Sequence, residues 1–491
     1  MTSWPTLYPT LAFPTMASST PPSTAHPSSD PSIYQEYASK WSSSLPSSST
    51  AWIQRAKDVA AVLSPTAGAR EKANATPRAE VSLLKHSGLL KILGPRKYGG
   101  GAQPWSVAYQ AIREVAKGDG SIGMLLGYHL LWAFSVSILG RGRGSHKTSS
   151  SSSDDDDESS QIDKWTHLIT SQNLFVGGAV NPRDTDLVIT PSSPSDPDSS
   201  SSKIIFSGGK HFTTGAAVSD LIVLEGSLSP AFGSPEELEG KHIFALVPST
   251  HPGISFSFNW DAIGLRLTES GSASISNVSV SWEDALGWDP IAKQPLENVL
   301  GIPYATLLLP TIQLVFTNFY LGIAQAALET AAGYTRKSTR PWPYLSGGER
   351  ETTAVAEKAT DEFYILSTYG THHAHLLAAT ALVDRANEAV SELFERYNAE
   401  KGNRAELTAQ QRGEVSELIA AAKIVVTDVG LKVTSDVFEV TGSRATASKV
   451  GLDRFWRDLR THTLHDPVAY KRREVGRYVL LGEIPTPTWY T

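Results

Sequence analysis

Residues Thr461-His462-Thr-Leu-His465-Asp466-Pro467 bring two imidazoles and a carboxylate close together near the end of a chain with no cysteine. The missing thiols exclude disulfides, thiolate nucleophiles, Cys-ligated zinc and iron–sulfur clusters. Redox chemistry would therefore need a bound organic cofactor or a metal held by His and carboxylates. His462 and His465 are three apart, so on a helical turn they share one face. An imidazole donates hydrogen bonds and exchanges its proton near neutral pH. Asp466 would serve as a general base if it came within hydrogen-bond reach of a substrate proton. A second group, His372, His373 and His375, has the composition of a metal site. Neighbours at i, i+1 and i+3 on a helix cannot all converge on one ion, so no metal is expected. Gly99-Gly100-Gly101 lacks the G-x-G-x-x-G spacing of a dinucleotide-binding turn, so this chain is not expected to bind NADH itself.

These residues must be positioned by 491 residues, of which 40% are hydrophobic and 19% charged, ordinary values for a globular protein. The formal charge of −7 is local: six acids lie in Ser149–Asp163 with no Lys or Arg, and the rest of the chain sums to −1. Nucleic-acid binding is not indicated. No Lys or Arg precedes Lys40 and the end, Trp489-Tyr490-Thr491, is not a peroxisomal tripeptide, so a cytoplasmic protein is expected. The apolar run Thr306–Gly333 is interrupted by Pro310, Gln313, Asn318 and Gln325 and reads as a buried bundle helix rather than a membrane span.

Composition shifts divide the chain. Residues 1–33 are rich in Ser, Thr and Pro and read as a disordered arm. Residues 34–164 carry helical periodicity, as in Trp52-Ile53-Ala56-Val59-Ala60-Val62-Leu63, with a low-complexity insertion at 140–163. Residues 165–290 hold short apolar runs separated by turns: Ile204–Phe206, Leu221–Leu224, Ile243–Val247 and Val278–Trp282. They read as an antiparallel β-barrel with a loop insertion at 191–203. Residues 291–491 hold long amphipathic stretches, including Glu351–Tyr397 and Gln410–Glu439, that suit a helical bundle and tail. The expected class is α+β, in the order helices, barrel, bundle.

That order, with three local motifs, resembles the acyl-CoA dehydrogenase superfamily over roughly residues 35–480. Pro95-Arg-Lys-Tyr98-Gly99-Gly100 resembles its P-x-x-Y-G-G turn, and Ser207-Gly-Gly-Lys210-His-Phe212-Thr-Thr214-Gly215 resembles its N-G-x-K-x-W-I-T-N strand and turn. Arg457–Pro467 lies where dehydrogenases carry R-D followed by Y-E-G. Within the superfamily the chain is most similar to the dibenzothiophene monooxygenase group. Phe438–Thr446, Asp453–Asp458 and Thr461–Lys471 carry this likeness, with Gly178–Pro182 and Thr339–Trp342 in support.

The resemblance implies a two-component monooxygenase that uses dioxygen and reduced FMN, with FAD as the alternative, supplied by a separate NAD(P)H flavin reductase. One oxygen would pass from a flavin C4a-hydroperoxide to an apolar, aromatic or sulfur- or nitrogen-containing small molecule. His465, with His462 beside it, would stabilise the peroxide and supply a proton. Thr214, in the place of a flavin-contacting Thr, would bond the N5 edge, with Phe212 at the cofactor and Asn181 offering both a donor and an acceptor. Tyr128, His129 and Trp132 would line the substrate pocket. Arg340 and Arg444 would grip flavin phosphate, Arg340 across a subunit boundary, in a homo-oligomer expected to be a tetramer. The competing expectation is an FAD-dependent acyl-CoA dehydrogenase with Asp466, at the dehydrogenase Glu position, as its base.

Overall fold

A computed structural model of the chain describes residues 26–41, 44–142, 160–181, 187–192, 203–234, 237, 241–342, 356–398 and 400–488. The acidic run Asp154–Glu158 and most of the 191–203 tract lie outside these residues. The end of the expected arm is tied down rather than free. Ser29 Oγ donates to Glu80 at 2.8 Å, Ser28 forms a bridge with Thr76, and His26 stacks on Phe258 with ring centres 5.2 Å apart. Polar side chains too small to build a core can still be ordered by buried partners, and Thr76 and Glu80 supply them.

Among the described residues, seven helices open the fold: α1 (Gln35–Trp41), α2 (Ser49–Leu63), α3 (Ala67–Ala73), α4 (Arg78–Ser87), α5 (Trp105–Gly118), α6 (Gly120–Leu139) and α7 (Gln161–Ser171). Asp119 starts α6 by accepting from the Ser121 and Ile122 amides at 3.0 and 3.3 Å, and it pairs with Arg70 at 2.6 Å. Beyond that cap α6 is apolar on every side, because it runs through the core and meets protein all round. It and Pro303–Ser338 are long and apolar enough to cross a membrane, yet 83% and 89% of their apolar windows are buried within the protein.

The strands are β1 (Val176–Ala179), β2 (Leu187–Pro191), β3 (Lys203–Lys210), β4 (Leu221–Leu228), β5 (His242–Pro248), β6 (Ile254–Phe256) and β7 (Ala273–Ser281). Trp165, expected at the start of this region, lies in α7, and the sheet begins at Val176. The sheet is mixed rather than antiparallel throughout. Both β1 and β2 run parallel to β4, in register Val176 to Leu221 and Val188 to Ser227, while the other pairs are antiparallel. Apolar runs between turns reveal strands but not their partners, and β1 enters from a helix to join β4 across two intervening strands. Ile189, Phe206, Leu224, Ile243 and Val278 build the sheet's own core.

The C-terminal region holds α8 (Glu297–Leu300), α9 (Leu308–Ser338), α10 (Phe363–Arg396), α11 (Ala409–Thr441), α12 (Asp453–His462) and α13 (Val468–Leu481). Thr408 and Gln411 form a reciprocal capping box that begins α11.

His129 ties the helical and sheet layers together. Its Nε2 lies 2.9 Å from the Leu90 carbonyl and its Nδ1 accepts from the Val176 amide at 2.9 Å, so the ring is neutral with its proton on Nε2. Burial pushes its pKa down to about 4. Both nitrogens are thus engaged with backbone, and His129 is a strut of the core instead of a pocket-lining group. Replacing it (His129→Leu) leaves a buried carbonyl and a buried amide without partners, and should lower unfolding free energy in urea by about 2–4 kcal/mol.

Candidate functional site

α12 ends at His462, whose ring is sealed between three helices. Its Nε2 lies 3.2 Å from the Tyr128 hydroxyl of α6 and its Nδ1 2.7 Å from the Tyr320 hydroxyl of α9. Tyr320 also donates to the His462 carbonyl at 3.0 Å, so Nδ1 carries the ring proton and Nε2 accepts from Tyr128. Burial, with His465 and Lys423 adding repulsion, holds His462 well below the ordinary imidazole range. His465 lies one turn on. Its ring is parallel to that of His462 within 5°, with centres 5.0 Å apart, and Phe316 meets it edge-on at 5.1 Å. One side of His465 reaches solvent in the single chain while protein hems in the rest, and burial with the Lys423 charge pushes its pKa down to about 4. The expected shared face of the two histidines is therefore present, and both imidazoles are neutral at pH 7.

Asp466 does not stand free beside them. The Lys423 ammonium pairs with its carboxylate and reaches its carbonyl at 3.1 Å, and Gln313 Nε2 donates to the same carboxylate oxygen at 2.8 Å. Burial raises the Asp466 pKa, but Lys423 outweighs it and holds the group below the usual carboxylate range. A carboxylate neutralised by a buried lysine is a weak and poorly placed proton acceptor.

Thr214 sits in the turn after β3, where Phe212 takes the left-handed conformation at φ 56° and exposes 62% of its surface against the edge of Trp260, 6.2 Å away. The Thr214 hydroxyl lies 2.9 Å from Ser270 Oγ. Two links join this turn to the histidines. Gly215 packs on Leu125, where a methyl group would come within 3.1 Å, and Leu125 lies one turn before Tyr128 on α6. The loop from Phe258 to Ser270 also docks on α12: the Leu265 amide donates to Asp458 at 2.7 Å, and Gly264 lies so close to the Arg457 backbone that a methyl would be 2.2 Å from it. Asp458 is one turn before His462. Phe258, Leu265 and Glu269 in this loop are non-glycine residues at φ 48°, 52° and 47°.

The remaining expected residues scatter. Asn181 is tied to the sheet through its carbonyl, which accepts from Lys210 Nζ at 2.8 Å. Trp132 packs its indole on Gly178, where a methyl would be 2.3 Å from Nε1, so it braces β1 instead of joining Tyr128 in a pocket. A cavity of about 990 Å³ lined by Trp105, Leu130, Phe134, Tyr304 and Phe394 lies on the face of α6 opposite Tyr128, and holds none of the expected site residues. Arg340 and Arg444 are exposed at one end of the bundle, where Arg444 donates to the Ser338 carbonyl at 3.0 Å. Eighteen residues of α9 separate Tyr320 from Ser338, about 27 Å along the axis. His372 is buried 3.3 Å from Asp436, with His373 and His375 exposed.

Sequence reading missed Tyr320, Lys423, Trp260, Ser270 and Asp458. Lys423 had a signal, as a lone charge within Ala420-Ala-Ala-Lys-Ile-Val-Val426. Tyr320 and Asp458 have partners 142 and 193 positions away, and Trp260 and Ser270 bond within their own loop in a pattern that residue type does not mark.

Folding keeps His129, His462 and His465 neutral, while in the unfolded chain each takes a proton below about pH 6.5. Their stabilisation is complete above that pH and is lost as pH falls towards 4. Urea unfolding followed from pH 7 to 4 should show stability falling with uptake of about two to three protons, and the His129→Gln/His465→Gln double variant should reduce that slope by about two. An unchanged slope would contradict neutral imidazoles.

Comparison with known proteins agrees with this architecture. The family models "Acyl-CoA dehydrogenase, N-terminal domain" and "Acyl-CoA dehydrogenase, C-terminal domain" match residues 51–143 and 314–469. The chain is 36% identical to dibenzothiophene monooxygenase of Mycolicibacterium goodii, over 89% of this chain and 95% of that one. It is 33% identical to the probable FMNH2-dependent monooxygenase SfnC of Pseudomonas putida, over 89% and 96%. Among solved structures, TdsC of Paenibacillus sp. A11-2 with FMN and indole superposes with a TM-score of 0.75 at 35% identity, covering 90% of this chain and 99% of that one. The chain belongs to the acyl-CoA dehydrogenase family, in the branch of its dibenzothiophene monooxygenase relatives.

Proposed function

We propose that this protein is a reduced-FMN-dependent monooxygenase that transfers one atom of dioxygen to an apolar aromatic or sulfur- or nitrogen-containing molecule. The other oxygen leaves as water and the flavin leaves oxidised. The carrying observation is the pair of parallel, neutral imidazoles, one locked by two tyrosines and one open at its edge, beside a carboxylate already neutralised by Lys423. A dehydrogenase needs a free carboxylate base there, whereas an oxygen-transferring site needs a neutral donor in a water-poor setting. The names of the relatives, with FMN and indole bound to one of them, support the cofactor and the substrate class.

The residues present suit a flavin. Phe212, held outwards by its left-handed backbone, and Trp260 offer aromatic flanks to a planar ring, and Thr214 offers a hydroxyl to its polar edge. When bound, the reduced flavin supplies the electrons that activate dioxygen. His465 would hold a hydrogen bond to the reacting oxygen and relay a proton to it, taking a replacement from solvent at its open edge, while His462 fixes the plane of His465 and Tyr128 and Tyr320 fix His462. Phe316 and Phe319 keep water from the His462 imidazole. A separate flavin reductase and a cytoplasmic location complete this reading.

Arg340 and Arg444 are too far from His465 on one chain to hold the phosphate of the same FMN, because the ribityl phosphate arm is much shorter than the stretch of α9 between them. They serve a neighbouring subunit's site in a tetramer. Exposed apolar side chains on α10 (Phe363, Leu366, Leu377) and α13 (Val479, Leu480, Leu481) give such an assembly its contact surface.

His465→Ala should lower product formed per reduced FMN consumed by about tenfold or more, with hydrogen peroxide released instead. Unchanged coupling would refute the role of His465. Mixing subunits that carry only Arg340→Ala with subunits that carry only His465→Ala should restore activity that neither shows alone; no restoration would refute the shared site.

A further inference from the structure

The Thr214 hydroxyl is one end of a buried chain of hydroxyls with a preferred direction. Thr214 Oγ1 lies 2.9 Å from Ser270 Oγ, Ser270 Oγ lies 2.8 Å from Thr268 Oγ1, and Thr268 Oγ1 donates to the Leu265 carbonyl at 3.0 Å. All three side chains are buried, with 4%, 5% and 0% of their surface exposed. A carbonyl oxygen can only accept. Thr268 therefore gives its proton to Leu265, Ser270 gives its proton to Thr268, and Thr214 gives its proton to Ser270. The carbonyl that sets this order is itself held in place by the Trp260 indole at 2.8 Å and the Thr268 amide at 3.2 Å. Reversing the chain would leave Thr268 Oγ1 against the carbonyl with no proton between them, a loss of one hydrogen bond.

With its proton turned inwards, Thr214 has only lone pairs to offer to whatever lies outside. We propose that the Thr214–Ser270–Thr268 relay makes Thr214 a hydrogen-bond acceptor towards the flavin, so that the site selects the reduced ring, whose N5 bears a hydrogen, over the oxidised ring, whose N5 has only a lone pair. This inference rests on the flavin placement proposed above. Ser270 and Thr268 are positioning residues: they act on the cofactor only through Thr214. Oxidised FMN can bond Thr214 only by reversing the chain, and one net neutral hydrogen bond corresponds to about a fivefold preference. The same bias favours exchange of the spent oxidised cofactor for a fresh reduced one.

The test is a pair of dissociation constants, for oxidised FMN in air and for dithionite-reduced FMN under anaerobic conditions, each read by flavin or tryptophan fluorescence. In Ser270→Ala, Thr214 is free to turn its proton outwards, so oxidised FMN should bind about fivefold more tightly while reduced FMN is nearly unchanged. Thr268→Val should do the same, and Thr268→Ser should keep the wild-type ratio. General damage to the loop would weaken both forms, so tighter binding of the oxidised form alone is the supporting result. Thr214→Val separates the two layers of the argument. If it weakens reduced FMN but Ser270→Ala leaves the ratio of constants at the wild-type value, the relay is overturned and the flavin placement stands. If it changes neither constant, the flavin does not lie beside Thr214 and both ideas fail.

Discussion

A single imidazole, His462, holds the centre of this protein in register. It lies in an apolar core among Phe316, Phe319 and aliphatic side chains, where an unmatched polar atom would be strongly destabilising. Both its nitrogens and its carbonyl are matched by two tyrosines from different helices, so α6, α9 and α12 can pack in only one relative placement if all three groups are to be satisfied. Everything attached to α12 inherits that placement. His465 follows one turn later, Asp466 is drawn to Lys423 on α11, and Asp458 one turn earlier receives the loop that leads back to Thr214.

The sheet and the helices share an apolar seam, in which Val176, Leu221, Val223, Leu246, Leu265 and Leu267 join the helical core, and three close contacts fix its register. Leu265 meets Asp458, Gly264 lies against Arg457, and Gly215 lies against Leu125. Gly264 is glycine because the Arg457 backbone occupies the space of a side chain, and Gly215 because its φ of 70° is left-handed. Asp458 is buried, and burial moves its pKa up to about 7 despite nearby Arg454, yet its oxygen still accepts from the Leu265 amide. The histidines and the hydroxyl chain are thus two polar clusters fixed to opposite ends of one loop-to-helix joint.

How much of this was legible in the sequence depended on the range of the interaction. The helical runs, the strand segments Ile204–Phe206, Leu221–Leu224 and Ile243–Val247, and the paired histidines were visible because each is a local pattern. The parallel pairing of β1 and β2 with β4 was not, because alternation of apolar residues does not say which strand lies alongside. Tyr128 was noticed as an aromatic residue, but its partner is 334 positions away, and only the folded chain shows that it faces His462. His129 and Trp132 were expected in a substrate pocket because the resemblance implies one there; in the fold one is engaged by backbone at both nitrogens and the other is wedged against Gly178. Ser270 and Thr268 carry no signature at all, since hydroxyl residues in a β-rich segment are common and their order along a hydrogen-bond chain is a property of geometry.

The loop from Phe258 to Ser270 has three non-glycine residues in left-handed backbone, a conformation each would abandon if unconstrained, at roughly 1 kcal/mol apiece. Leu265→Gly or Glu269→Gly would relieve that tension and would attract an engineer seeking a hardier enzyme. It would also slacken the span on which the Leu265 carbonyl is aimed, and the orientation of every hydroxyl downstream depends on that aim. Heat tolerance and discrimination between cofactor states therefore pull against each other along this one stretch of chain.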